Sequence, residues 1–263
     1  MKIKTYLTAS AFAVSLLTST TWADTAATTT ATTFTQEQVK SLDNIIHQYM
    51  INNPEILIEV SKILEKKQQQ AQQQQAKTAI LTQTDQLLNE TLSVAGNPKG
   101  NVTLIEFFDY QCIHCKKMKP LINELIQKNP NLRVVYKEFP IFGKNSEDAS
   151  KIALAAAIQG KYTTLQDALL KVDKPLDEDS ILKIAQSAGL NMTKLKADMA
   201  SKIVADAINA NRKLADALHL MGTPAFIILS TPNGQFKPNS EPLFVPGAAD
   251  LNTLQGFVNK AAE

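Results

Sequence analysis

The pattern of apolar and polar positions divides the chain into two parts. From Gln36 onward, Val39, Leu42, Ile46 and Tyr49 recur at spacings of three and four, placing them on one stripe of an amphipathic helix. Asn53-Pro54-Glu55 then has the chemistry of a helix start: Asn as cap, Pro in the first turn, Glu at the positive end of the dipole. Ile56, Val60, Ile63 and Leu64 form the next stripe. After Lys67 the stripe stops. Seven of the eight residues from Gln68 to Gln75 are glutamine, and neither Gly nor Pro occurs between Glu55 and Ala95. Glutamine is a fair helix former, so a long solvated helix or a semi-flexible arm is expected. The two stripes need a partner, either copies of themselves or the rest of the chain. The polar arm that separates them from the C-terminal part favours self-association.

From Val94 the pattern changes. Gly96-Asn97-Pro98-Lys99-Gly100 is a turn-rich break. Val102 to Phe108 is an apolar run broken only by Thr103 and Glu106, which suits a strand buried on both faces. A helix is expected from Cys112 to about Lys128, a second strand from Leu132 to Phe139, and a helical block from Ser146 to about Leu220. Breaks in that block fall near Gly160, Lys174-Pro175 and Gly189. A third strand at Ala225–Leu229, a turn at Pro232-Asn233-Gly234, a fourth strand at Leu243–Val245 and a last helix capped by Asp250 complete an α/β plan.

Composition sharpens this organisation. The chain has 263 residues, 44% hydrophobic and 20% charged, with a formal net charge of +2. These values exclude collagen-like and wholly disordered classes, and the slight basic excess argues against a nucleic-acid partner. Residues 1–23 read as a signal peptide: Lys2 and Lys4, an apolar stretch from about Tyr6 to Leu17, then Thr21-Trp22-Ala23 before the cut. Removing them takes both lysines and the single tryptophan, so the net charge falls to zero. Export to the periplasm is the expected localisation, a compartment that permits disulfides. Residues 24–35 form a Thr/Ala-rich leader expected to be disordered, 36–93 the helical region and glutamine-rich arm, and 94–263 the main domain.

The only two cysteines stand together in Cys112-Ile113-His114-Cys115, directly after a strand and at a helix start. C-x-x-C in that place is a redox signature. Unpaired N–H groups and the helix dipole favour an anion at Cys112, lowering its pKa from about 8.5 toward or below neutrality. Cys115, one turn on, can resolve a mixed disulfide. His114 between them can stabilise the thiolate as a cation or hydrogen-bond donor. A structural disulfide across so small a loop stabilises little, and two cysteines with three scattered histidines fall short of a zinc site. Copper(I) held by two thiolates stays open as an additional role. No metal or organic cofactor is expected; the redox group is the Cys112–Cys115 disulfide itself.

These residues carry a resemblance. FFDYQCIHCKKM, residues 107–118, resembles the active-site segment of DsbA-like thiol-disulfide oxidoreductases, and Met221-Gly222-Thr223-Pro224-Ala225-Phe226 resembles their cis-proline loop. The resemblance covers roughly residues 94–263. It implies a thioredoxin fold with a helical insertion at about 145–220, Cys112 as nucleophile, Cys115 as resolving thiol and Pro224 as a cis-proline. Thr223 would pair through its backbone with an extended substrate. It further implies that Glu106 sits beneath Cys115 and assists its proton transfer, with Lys137 on the next strand as its partner. The N-terminal helices resemble those of oligomeric relatives, the ScsC-like proteins and Legionella- or Coxiella-type DsbA homologues. Two departures matter: Ile-His replaces Pro-His between the cysteines, and threonine replaces valine before the cis-proline. Both shift the expectation from a pure oxidase toward an enzyme that also reduces or isomerises.

The expected function is an exported thiol-disulfide oxidoreductase that forms or isomerises disulfides in unfolded or misfolded exported proteins. Its partners would be a membrane redox protein of DsbB or DsbD type and a second copy of itself, a dimer in preference to a trimer. The alternatives are a dithiol oxidase whose helices only localise it, and a holdase or copper-binding scaffold.

Overall fold

The computed structural model describes residues 34–90 and 92–263. The expected signal peptide and nearly all of the leader lie outside the described residues. Two compact units are present, with the boundary between Val60 and Ser61.

The first unit holds α1 (Gln36–Asn52) and the start of α2 (Glu55–Thr82). Thr35 caps α1 through a reciprocal capping box with Gln38. No residue of α1 is buried, and Val39, Leu42, Ile46 and Tyr49 are all exposed. Asn53 does not cap α2 through its side chain. It is the C-cap of α1, and its amide donates to the Tyr49 carbonyl at 2.7 Å, satisfying a terminal acceptor of the first helix.

The second unit is built on a five-stranded sheet in the order β1-β3-β2-β4-β5. The strands are β1 (Val94–Gly96), β2 (Val102–Phe108), β3 (Leu132–Glu138), β4 (Ala225–Ser230) and β5 (Leu243–Pro246). β2 and β3 are parallel and joined by α4 (Ile113–Lys128); the other pairs are antiparallel. β1 was not legible in the sequence, because three residues are too few to show a period. The helical insertion resolves into α5 (Lys144–Ile158), α6 (Tyr162–Leu170), α7 (Glu178–Ser187), α8 (Met192–Met199) and α9 (Lys202–Ala217). The expected breaks at Gly160 and Gly189 are residues with positive φ. Asp250 caps the final helix, α10 (Leu251–Ala262), by accepting from Thr253 N–H at 2.8 Å.

Every residue of β2 and β3 is buried, so the sheet is covered on both faces. Side-chain alternation sends Leu104, Glu106 and Phe108 to one face, with Val134 and Tyr136, against α4 and the insertion. Ile105, Phe107 and Val135 face the other way. There the expected domain boundary at residue 94 gives way. Ala76 and Ile80 of α2 and Leu87 of α3 (Thr84–Leu88) are buried in the core on this face. The end of the glutamine-rich arm is therefore a structural part of the second unit. Two buried cations fasten it: Arg133 donates to the Leu88 and Glu90 carbonyls at 3.1 and 2.7 Å, and Lys137 to the Gln86 carbonyl at 3.2 Å. Cations suit carbonyls at a helix C-terminus.

Leu87→Ala is expected to lower the unfolding free energy by about 2–5 kcal/mol. Urea denaturation followed by circular dichroism measures this; a loss below about 1 kcal/mol would contradict the burial of α3 as part of this core.

Candidate active site

Cys112 is the N-cap of α4, with φ −73 and ψ 116. Ser, Thr or Asp usually caps a helix by accepting from the N–H groups of the first turn; here a sulfur occupies that place. In its protonated form the Cys112 thiol donates to the Thr223 carbonyl at 3.3 Å. Its pKa is lowered to about 5. The largest cause is a hydrogen bond from the Cys115 thiol, opposed by partial burial. Hydrogen bonds from the backbone N–H groups of Cys115 and His114 add to it. Both cysteines are free thiols and both are buried, Cys112 at 4% exposure and Cys115 at 1%.

The two thiols are held in opposite states. Burial pushes the Cys115 thiol far up, and its bond to Cys112 and the charge of Glu106 push it further. One sulfur is thus an anion near neutral pH and the other a bound proton donor. His114 supports the anion through its backbone N–H, while its imidazole is exposed. The main chain of His114 thus contributes to the stabilisation of the anion.

Thr223–Pro224 is a cis peptide bond. The loop approaches Cys112 from β4, at the opposite end of the insertion from α4. Residues 111 positions apart are therefore brought into contact. Asp109 anchors the other side of the site. It accepts from Gln111 N–H and the Ser146 hydroxyl at 2.7 Å each, and from Ile141 and Phe142 N–H at 2.7 and 3.1 Å. This ties the β2–α4 and β3–α5 connections together.

Glu106 lies on the β2 face covered by α4 and is 2% exposed. Burial raises its pKa well above the usual carboxylate range; Lys119 opposes that, and the charges of Cys112 and Glu138 add to it. The expected pairing of Glu106 with Lys137 is corrected. β3 pairs Glu106 with Tyr136, so Lys137 projects from the opposite face, where its Nζ lies 3.4 Å from Glu90 Oε2. Lys119 is the cation whose charge bears on Glu106. It sits four residues after Cys115 on the buried side of α4. There its Nζ reaches Asp167 Oδ1 at 2.8 Å, Tyr136 Oη at 3.0 Å and Gln166 Oε1 at 2.7 Å. A lysine inside the apolar stripe Cys115, Met118, Ile122, Leu125 was the available signal.

Glu138 was also missed. It is fully buried, with Tyr110 and Tyr162 hydroxyls donating to Oε1 at 2.9 and 2.7 Å, and its pKa is raised to about 8, chiefly by burial. Among the described residues no group of three or more His, Cys, Asp and Glu side chains could hold a metal ion.

Lys119→Met is expected to move the Glu106 titration upward, because the lysine charge opposes the rise, while Lys137→Met leaves it in place. Carbon NMR of the Glu106 carboxyl measures both; equal shifts in the two variants would refute the assignment of Lys119.

The description "DSBA-like thioredoxin domain" matches residues 103–259, and "Copper resistance protein ScsC N-terminal domain" matches residues 38–71. The crystal structure of Salmonella enterica Typhimurium BcfH is 31% identical; it covers 86% of this chain and 96% of its own, with a TM-score of 0.73. The thiol:disulfide interchange protein DsbA of Salmonella typhi is 25% identical over 197 residues, covering 72% of this chain and 88% of that protein. The Na(+)/H(+) antiporter NhaA 3 of Salinispora tropica is 27% identical over 137 residues, which is 51% of this chain but 21% of the antiporter. The chain thus spans about a fifth of the length of such curated relatives. A match that runs from β2 into α10 takes in both halves of the thiol site and the helices inserted between them, and the chain belongs to the DSBA-like thioredoxin domain family.

Proposed function

We propose that this protein is an exported thiol-disulfide oxidoreductase that forms and isomerises disulfides in exported proteins through Cys112-Ile113-His114-Cys115. The single observation that carries the reading is the split between the two thiols: Cys112 lowered to about 5, Cys115 raised far above its usual range.

In the oxidised form a client thiolate attacks Cys112 Sγ. The Cys112–Cys115 bond breaks, Cys115 leaves with the electron pair and takes up a proton, and a client–Cys112 disulfide forms. A second client thiolate then attacks the client sulfur, and Cys112 leaves as a stable thiolate. The client dithiol is oxidised and the enzyme disulfide reduced. Cys115 is a poor leaving group unless its proton is supplied, and Glu106, neutral through burial, suits that supply. In isomerisation the reduced Cys112 thiolate attacks a wrong client disulfide, and another client thiol resolves it with no net redox change. A membrane redox partner of DsbB or DsbD type would reset the cysteines.

Self-association is part of the proposal. Val39, Leu42, Ile46 and Tyr49 lie exposed along α1, and Val60, Ile63 and Leu64 along α2, within the segment similar to the ScsC N-terminal domain. Water disfavours apolar stripes left exposed on each helix, and a second copy would cover them, giving a dimer with two thiol sites. Two sites can hold one misfolded client, which favours isomerisation over simple oxidation.

Iodoacetamide should alkylate Cys112 with a rate that falls away below a midpoint near pH 5. The same shift makes stability depend on pH. Cys112 is depressed from 9.0 in the folded reduced protein, so its stabilisation is lost as pH falls through about 5 and is full only above 9. The oxidised form has no such titration. The melting temperature of the reduced form relative to the oxidised form is expected to rise from pH 5 toward 9; a difference independent of pH would overturn the thiolate assignment.

Leu42→Glu with Ile46→Glu is expected to give a monomer by sedimentation velocity that still reduces insulin but refolds scrambled ribonuclease at least about tenfold more slowly, the scale of avidity gains. An unchanged isomerisation rate in a monomer would remove the case for an oligomeric isomerase.

A further inference from the structure

A cleft of about 470 Å³ opens beside the thiol site, and one of its walls is the glutamine-rich turn of α2. Gln72, Gln73 and Gln75 are exposed along that wall, and buried Ala76 lies below them. The floor and far wall are mostly apolar, formed by Leu218 to Ala225 and by Phe244 and Pro246 of the edge strand β5. Thr223 and Pro224 belong to both places: they line the cleft, and the Thr223 carbonyl lies 3.3 Å from Cys112 Sγ. The cleft and the thiol site therefore share the Thr223–Pro224 segment.

Two further features set this region apart. His219, on the same lining, holds a positive φ of 54 at the end of α9, where a side chain is disfavoured and glycine is the usual choice. Met221 is 97% exposed at the rim, an apolar side chain left in water beside an apolar floor. Methionine adapts its shape to varied apolar partners.

We propose that the glutamine-rich turn of α2 is a client-binding element: its carboxamides hydrogen-bond the backbone of an extended client segment while an apolar side chain next to the client cysteine fills the cleft below. The inference rests on the oxidoreductase reading and adds the substrate feature it selects. The chemistry matches in both directions. An extended polypeptide presents N–H and C=O groups that only donors and acceptors of both kinds can satisfy, and glutamine supplies both on one side chain. A lysine or glutamate run at these positions would offer one kind alone. The apolar floor disfavours a charged side chain, which would lose its water without a partner. Clients that are unfolded or misfolded expose such apolar residues next to their cysteines; folded ones bury them.

The test uses the full chain, reduced, and short peptides whose single cysteine is activated as an aryl disulfide. Cys112 thiolate attacks the peptide sulfur, the Cys112–peptide disulfide forms, and the coloured aryl thiolate leaves. A small aryl disulfide without a peptide is the reference. The wild-type protein is expected to prefer a peptide with leucine beside the cysteine over one with aspartate by about tenfold, the scale set by an apolar pocket. Gln72→Ala, Gln73→Ala and Gln75→Ala together keep α2 helical, since alanine is the better helix former. The triple variant is expected to lower the leucine-peptide rate relative to the small reagent about tenfold, the scale of one or two lost hydrogen bonds. Equal rates for the two peptides, or a peptide-to-reagent ratio unaltered by the triple variant, would overturn the proposal while leaving the exchange chemistry intact. A ratio that falls as protein concentration rises assigns the cleft to a second copy of the chain and overturns it too. Failure of the small reagent itself to react would instead sink the oxidoreductase reading.

Discussion

The negative charge at Cys112 is the constraint around which this structure is arranged. A sulfur at the N-cap of α4 meets the Cys115 thiol and the N–H groups of Cys115 and His114, donors that the helix start leaves unpaired. Everything that positions the site serves that meeting. β2 delivers the chain to the helix start, Asp109 ties the following turn to the β3–α5 connection, and the loop before β4 brings Thr223 against the sulfur. A thiolate that is stable in the reduced form makes the disulfide an oxidant.

Beneath the thiolate lies a second set of charges with a different task. Glu106 and Glu138 are both buried, and burial favours the neutral acid in each. Lys119 limits the effect at Glu106, held by Asp167, Gln166 and Tyr136. Under the proposed exchange, a carboxyl whose pKa lies near neutral would suit proton supply to Cys115 better than an ordinary carboxylate. The insertion thereby does more than roof the sheet. Its α6 supplies Tyr162, Gln166 and Asp167 to this network, coupling the helical block to the electrostatics of the thiols.

α2 carries two kinds of surface in one helix. Its first half carries exposed apolar residues suited to a second copy, and its last turns are built into the sheet core through Ala76 and Ile80. Between them the glutamines flank the cleft that Thr223 helps to line. Assembly and client contact would then draw on different turns of one continuous helix.

The sequence by itself determined the α/β plan, the two long helices ahead of it and the redox pair, while the proline loop was implied by the family resemblance. The reasons are local: period in apolar positions, caps and breakers, and a C-x-x-C at a strand–helix junction. Glu106 was legible as an acid in an otherwise apolar strand. Its cation was not, since strand parity sends Lys137 to the far face and only the packing of α4 brings Lys119 near. Glu138 and Asp109 gained meaning only when the insertion folded over them. The burial of Ala76, Ile80 and Leu87 was hidden because glutamines interrupt the stripe, and β1 because three residues carry no period. Local rules decide which segments are helices, strands and reactive turns; which charges share a face is decided by contacts between residues far apart in the chain, and that belongs to the tertiary structure alone.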